Sequence, residues 1–257
     1  MKTFEFQQIS MAYDGWESPS GPCFVWAHGW GQNHLGLAGL AGVFKSQGQH
    51  FLVDFPGFGA SPPPEAWDTG RYADFMADFI RQHTSGNVIW VGHSFGCRVG
   101  LQIAARHPDL IAGLFLIAAA GLPRKRSLIK KLYIKGRIAV YKFLKKLIPF
   151  GLPEDWLMKK FASSDYKNAG PMRQILVKVV NEDLSDVARK ITCPVTLVYG
   201  SQDTETPPEI GMRLKALIKN AEMVHLEGFD HYTILSTGQH QLAVQLKNFI
   251  AAIERST

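Results

Sequence analysis

Ser94 lies in the pentapeptide Gly92-His93-Ser94-Phe95-Gly96, between an apolar run, Asn87-Val88-Ile89-Trp90-Val91, and an amphipathic stretch that begins at Phe95. A G-x-S-x-G sequence with a strand before it and a helix after it predicts a serine held on a strained turn with its hydroxyl exposed. Gly92 and Gly96 leave room for strand and helix to pass closely. Such a serine attacks a carbonyl only with a base, a carboxylate behind the base, and donors for the developing oxyanion. Asp203 follows the apolar run Pro194–Tyr199, and His231 follows the run Ala221–Leu226, giving the chain order Ser94, Asp203, His231. In the expected mechanism His231 takes the Ser94 proton while Asp203 fixes the imidazole tautomer. Upstream, Val25-Trp26-Ala27 runs into the glycine-flanked turn His28-Gly29-Trp30-Gly31. The backbone N–H groups of Trp30 and Phe95 are the expected oxyanion donors, each worth about 3–4 kcal/mol of barrier.

Other acids and histidines compete for these roles. Asp54 precedes a Pro-Gly turn, where short acids cap local backbone. Asp230 adjoins His231 and is expected to point away from it. The region after the preceding apolar run, Ala118-Ala119-Ala120, holds no carboxylate. His28 reads as a turn organiser. His83, His107, His225 and His240 read as ordinary packing or surface residues, and none has metal-ligand spacing with acids or cysteines. The chemistry therefore calls for no metal and no cofactor.

These groups need a scaffold. Strands are expected near 3–9, 22–27, 50–54, 87–91, 111–118, 194–199 and 221–226, and helices near 35–46, 69–83, 95–106, 207–219 and 232–254. That alternation predicts an α/β chain with a mostly parallel central sheet and helices on both faces. With 257 residues, 46% of them hydrophobic, the chain is long enough to bury one sizeable core. Cys23, Cys97 and Cys193 are scattered and form no C-x-x-C, the usage of a reducing compartment. The N-terminus reads as an alternating strand rather than a signal peptide, and no stretch is apolar enough to span a bilayer, so a cytoplasmic location is expected.

The motifs together, His28-Gly29-Trp30-Gly31, Asp54-Phe55-Pro56-Gly57-Phe58-Gly59-Ala60-Ser61, the pentapeptide at Ser94, Gly200 with Asp203, and His231, resemble the α/β-hydrolase superfamily over nearly the whole chain. His-Gly-Trp-Gly-Gln-Asn at 28–33 looks most like the carboxylesterase branch that includes the pimeloyl-acyl-carrier-protein methyl ester esterases. The resemblance implies an α/β-hydrolase core of residues 1–120 and 191–257, with a helical lid inserted at 121–190.

Charge is concentrated in that insertion. Residues 121–190 hold 17 bases and 6 acids, a net of +11 against +6 for the whole chain, so the remainder nets −5. From Gly121 to Phe150 there is no acid, and the bases include Arg124, Lys130, Lys131, Lys142 and Lys145. Leucines, isoleucines and Phe143 interleave with them, as in an amphipathic helix. Three roles fit this segment: a solvated basic face roofing the pocket, docking of an anionic acyl carrier or coenzyme A phosphates, and binding to anionic lipid. Nucleic acid is not expected, since no binding motif is present. The sequence thus points to a serine hydrolase of carboxylic esters with an apolar acyl part, its pocket lined by Trp30, Phe95 and Phe143. A thioesterase, a lysophospholipid or monoacylglycerol lipase, and a small-molecule receptor on the same fold are the alternatives.

Overall fold

The computed structural model describes the chain except residues 18–20, 85, 126–127, 147–148, 150–152, 154–155, 157–159, 161–163 and 256–257. Its centre is an eight-stranded sheet in the order β1-β2-β4-β3-β5-β6-β7-β8. The strands are β1 (Lys2–Phe6), β2 (Ile9–Trp16), β3 (Cys23–Ala27), β4 (Gln49–Val53), β5 (Val88–His93), β6 (Ile111–Ile117), β7 (Val195–Gly200) and β8 (Ala221–Leu226). From β4 to β8 every neighbour is parallel, whereas β1 and β2 form an antiparallel hairpin and β2 pairs antiparallel with β4. The central strands are unbroken apolar runs because helices cover both faces. Every residue of β5 and of β7 is buried.

The helices are α1 (Ala38–Val43), α2 (Thr69–His83), α3 (Phe95–Arg106), α4 (Leu128–Lys145), α5 (Ser164–Asn168), α6 (Arg173–Asn181), α7 (Ser185–Ala188), α8 (Pro208–Leu217) and α9 (Gln239–Glu254). On one face α2, α3 and α8 bury residues such as Phe79, Leu101 and Leu214 in a single cluster. On the other, α9 sets Leu242, Leu246, Phe249 and Ile250 against Leu40 and Phe44 around α1. Apolar residues at three- and four-residue spacing give these packed helices their inward stripes. Asp68 caps α2, accepting a bond from Arg71 N at 2.8 Å.

Two expectations about the elements are corrected. The segment read as one strand over 3–9 is the start of a hairpin, because Gln7 and Gln8 take φ of 50° and 67° and turn the chain back into β2. The helix expected from 232 starts at Gln239, since Asp230 and Thr233 draw the intervening residues into a hydrogen-bonded loop. No helix among the described residues is long and apolar enough to cross a membrane.

The interval between β6 and β7 divides in two. Ala169, Met172, Ile175, Leu176, Val179, Leu184, Ala188 and Ile191 are buried, and all of these but Ala169 and Leu176 belong to the core cluster. Helix α4 instead leaves Leu128, Ile129, Leu132, Tyr133, Ile138, Val140 and Phe143 exposed.

Candidate active site

Each candidate side chain follows the C-terminal end of a parallel strand, where α/β sheets gather their ligands. Ser94 follows β5, Asp203 follows β7, His231 follows β8 and Trp30 follows β3. The approach of β3, β5 and α3 is close enough to require glycine. A Cβ on Gly96 would sit 2.0 Å from the Ala27 carbonyl oxygen, and one on Gly92 would sit 2.9 Å from the Gly96 carbonyl carbon. Held there, Ser94 has φ 49° and ψ −100°, left-handed backbone that a serine adopts only under constraint.

Asp203 and His231 are brought together. Asp203 Oδ2 lies 2.8 Å from His231 Nδ1, and both side chains are buried. Asp203 Oδ1 accepts bonds from the Glu205 and Thr206 N–H groups, each at 2.8 Å, so the carboxylate is fixed by its own loop. The Thr206 hydroxyl lies 2.9 Å from both Asp203 Oδ2 and the Ala118 carbonyl oxygen. Burial alone would raise the Asp203 carboxyl, but the bonds from His231 and Thr206 outweigh it and hold it below the usual range. Because Asp203 takes the Nδ1 edge of His231, the Nε2 edge is left for chemistry.

His93 supports the base from beneath. Its Nε2 donates to the His231 carbonyl oxygen at 3.0 Å, and the two rings lie 4.8 Å apart. Burial, reinforced by the neighbouring His231, lowers His93 to about 3, so it is a neutral prop and not a second base.

The oxyanion turn is built the same way. His28 donates from Nδ1 to the Gly29 carbonyl oxygen at 2.7 Å and accepts at Nε2 from Phe55 N at 3.1 Å. Burial lowers it to about 4, the neutral turn organiser that its position suggested. Gln32 Oε1 accepts from Gly29 N at 2.9 Å. Trp30 and Phe95 pack edge to face with centroids 5.6 Å apart, and Phe58 meets Trp30 at 4.9 Å. Neither the Trp30 nor the Phe95 backbone N–H has an acceptor among the described residues.

Asp54 and Asp230 are occupied elsewhere. Asp54 binds the His34 ring, the His34 N–H and the Ala60 N–H, tying down the loop after β4. Asp230 accepts from the Tyr232 and Thr233 N–H groups, capping its own loop.

Ser94, Phe95, Trp30 and His231 line one cavity of about 400 Å³, a size suited to a small ligand. Its roof comes from Leu122, Pro123, Arg124 and, on α6, Leu176, Val179 and Val180. The amphipathic helix α4 does not supply this roof: among the described residues it contributes none of the lining, and Phe143 is 64% exposed. Arg124 sits at the rim in an ion pair with Glu205 at 3.4 Å. Lys142 and Lys145 are exposed on α4, and the side chains of Lys130 and Lys131 lie outside the described residues. Sequence reasoning passed over Thr206, His93 and Arg98. Arg98 carried a signal, a charge in the apolar run Gly96–Leu101 of a helix that packs on the sheet.

Comparison with known proteins adds a lineage to this geometry. The model of the alpha/beta hydrolase family matches residues 24–244. The chain belongs to that family. It is 26% identical over 244 residues to the pimeloyl-[acyl-carrier protein] methyl ester esterase of Neisseria meningitidis, covering 88% of this chain and 92% of the relative. It is also 26% identical over 234 residues to the 2-(acetamidomethylene)succinate hydrolase of Mesorhizobium japonicum, covering 84% of each. Among solved structures, a membrane phospholipase A described as a bacterial virulence factor superposes with a TM-score of 0.77 at 22% identity, covering 98% of this chain and 86% of that one. That likeness is one of fold.

Proposed function

We propose that this α/β hydrolase is a serine hydrolase of carboxylic esters that works through an acyl-enzyme. The observation that carries the reading is a strained, cavity-facing Ser94 that shares its cavity with His231, whose ring is held by the buried Asp203 carboxylate. Ser94 Oγ attacks the ester carbonyl as His231 Nε2 takes its proton, and His231 then protonates the departing alkoxide. The Trp30 and Phe95 N–H groups hold the oxyanion of the tetrahedral intermediate. Water repeats the sequence on the acyl-enzyme and frees the acid. The name of the Neisseria relative supports a carboxylic ester as substrate. Initial rates on p-nitrophenyl esters from acetate to palmitate test the reading. Hydrolysis should vanish in Ser94→Ala while the circular dichroism spectrum is unchanged, and activity surviving that change would place the nucleophile elsewhere.

A second reading concerns α4. At 100° per residue, Leu128, Ile129, Leu132, Tyr133, Val140 and Phe143 fall on one face about 140° wide. All six are exposed, with Lys135 and Lys142 on one flank and Arg137 on the other, half-buried Leu144 at the stripe's edge beside Arg137, and half-buried Ile134 and Tyr141 on the opposite side. An outward apolar stripe flanked by bases favours an anionic lipid surface over a merely solvated helix. Co-sedimentation with phosphatidylglycerol vesicles, but not with phosphatidylcholine vesicles, is the expected outcome. Binding to neither, with salt-sensitive binding to an acyl carrier protein instead, would make the stripe a protein dock.

A further inference from the structure

Arg98 is the one guanidinium among the described cavity-lining residues that no ion pair accounts for. It lies one helical turn beyond Ser94 on α3, on the same face by the i, i+4 relation. It is only 9% exposed, yet it lines the cavity that holds Ser94 and His231. A guanidinium carries five N–H donors. Among the described residues Arg98 makes a single hydrogen bond, a long one of 3.4 Å from Nη1 to the Glu182 carbonyl oxygen. The Glu182 carboxylate is near enough to influence it but forms no ion pair with it, being turned instead to the Thr69 N–H and hydroxyl. The remaining Arg98 nitrogens are not sealed in the interior, because among the described residues only Trp16 Nε1 and Arg173 Nε are buried without partners. The other guanidinium on the cavity wall, that of Arg124, is exposed at the rim and paired with Glu205.

A nearly buried cation with unmet donors is costly unless something negative completes it. Desolvation lowers the Arg98 pKa, as expected for a charge waiting for a partner. The planar fork of a guanidinium suits a carboxylate, which accepts two parallel bonds. We infer that Arg98 is a specificity-determining residue that binds a free carboxylate on the acyl part of the substrate, so that the enzyme prefers half-esters of short dicarboxylic acids over esters of plain fatty acids. The inference rests on the serine esterase reading for the position of the attacked carbonyl. It replaces a wholly apolar acyl pocket with a divided one, apolar on the Leu176, Val179 and Val180 side and cationic at Arg98.

The test compares kcat/KM for monomethyl succinate, glutarate and adipate with that for methyl butyrate, pentanoate and hexanoate, following acid release at neutral pH. The best half-ester should exceed its neutral counterpart at least tenfold. In Arg98→Met, which keeps bulk without charge, that ratio should fall at least tenfold, and Arg98→Lys should restore part of it. A residue that merely supports the fold would lower both rates in proportion, and an unchanged ratio would overturn the inference, as would a wild-type ratio of one or less. Should no ester be turned over, titration calorimetry of monomethyl glutarate into Ser94→Ala decides the matter. Binding that disappears when Arg98→Met is added supports the carboxylate site, and absence of binding sinks it. Ester turnover that survives Ser94→Ala would refute the serine mechanism, while the half-ester ratio would still judge Arg98.

Discussion

Asp203 is oriented from three sides before it touches the imidazole. Two loop N–H groups hold Oδ1, and the Thr206 hydroxyl sits beside Oδ2. Replacing Asp203 by Asn keeps the shape but offers His231 the wrong tautomer, so kcat should fall by about 10⁴ while the thermal midpoint moves little. Thr206→Val removes one hydrogen bond of net worth about 1 kcal/mol, and steady-state kinetics on p-nitrophenyl butyrate should show kcat reduced about fivefold with KM nearly constant. The proposed triad was legible in the sequence because each member follows an apolar run and the chain order is restrictive. Thr206 was not, since a threonine three residues after an aspartate looks like any polar turn until the loop closes on itself. Arg98 was readable as a charge among apolar neighbours, but only the structure shows that it lines the cavity.

Elements were read well where burial dictates them and poorly where a turn lacks its usual residues. The strand at β5 and the helix at α3 appear where the apolar run and the glycine pair placed them. The β1–β2 hairpin was hidden because its turn is Gln7-Gln8, two residues held at positive φ without glycine or asparagine. Exchanging the pair for Asn-Gly should relieve that strain and raise unfolding free energy by about 1–2 kcal/mol, measured by urea titration with an unchanged slope. Gly96→Ala acts in the opposite direction. Its methyl would collide with the Ala27 carbonyl, so strand and helix must separate, at a cost of about 3 kcal/mol and with loss of ester hydrolysis. A variant of normal stability and activity would show that the elbow tolerates more room than this packing allows.

At the scale of the whole molecule, stability should depend on pH through histidines that play no direct part in proton transfer. His28 and His93 are fully buried and titrate near 4 and 3, below the ordinary value of about 6.5 that holds in the unfolded chain. Below about pH 6.5 the unfolded chain therefore binds protons that the folded one refuses, so their share of the stability is complete above that pH and is lost as pH falls through about 4 for His28 and about 3 for His93. Each contributes a slope approaching about 1.4 kcal/mol per pH unit, and His93→Gln should remove one such share from urea unfolding measured between pH 7 and 5. A slope unaltered by that change would mean His93 is protonated in the folded protein. The insertion between β6 and β7 carries a different lesson. Its basic, outward part is α4, while the cavity wall is made by α6 and the residues at 122–124. Under the docking role proposed for α4, what draws the enzyme to a surface and what its cavity admits are written on separate pieces of chain. Selection, or a protein engineer, is free to re-address the molecule to a new surface by exchanging α4 while the range of acids it releases stays the same.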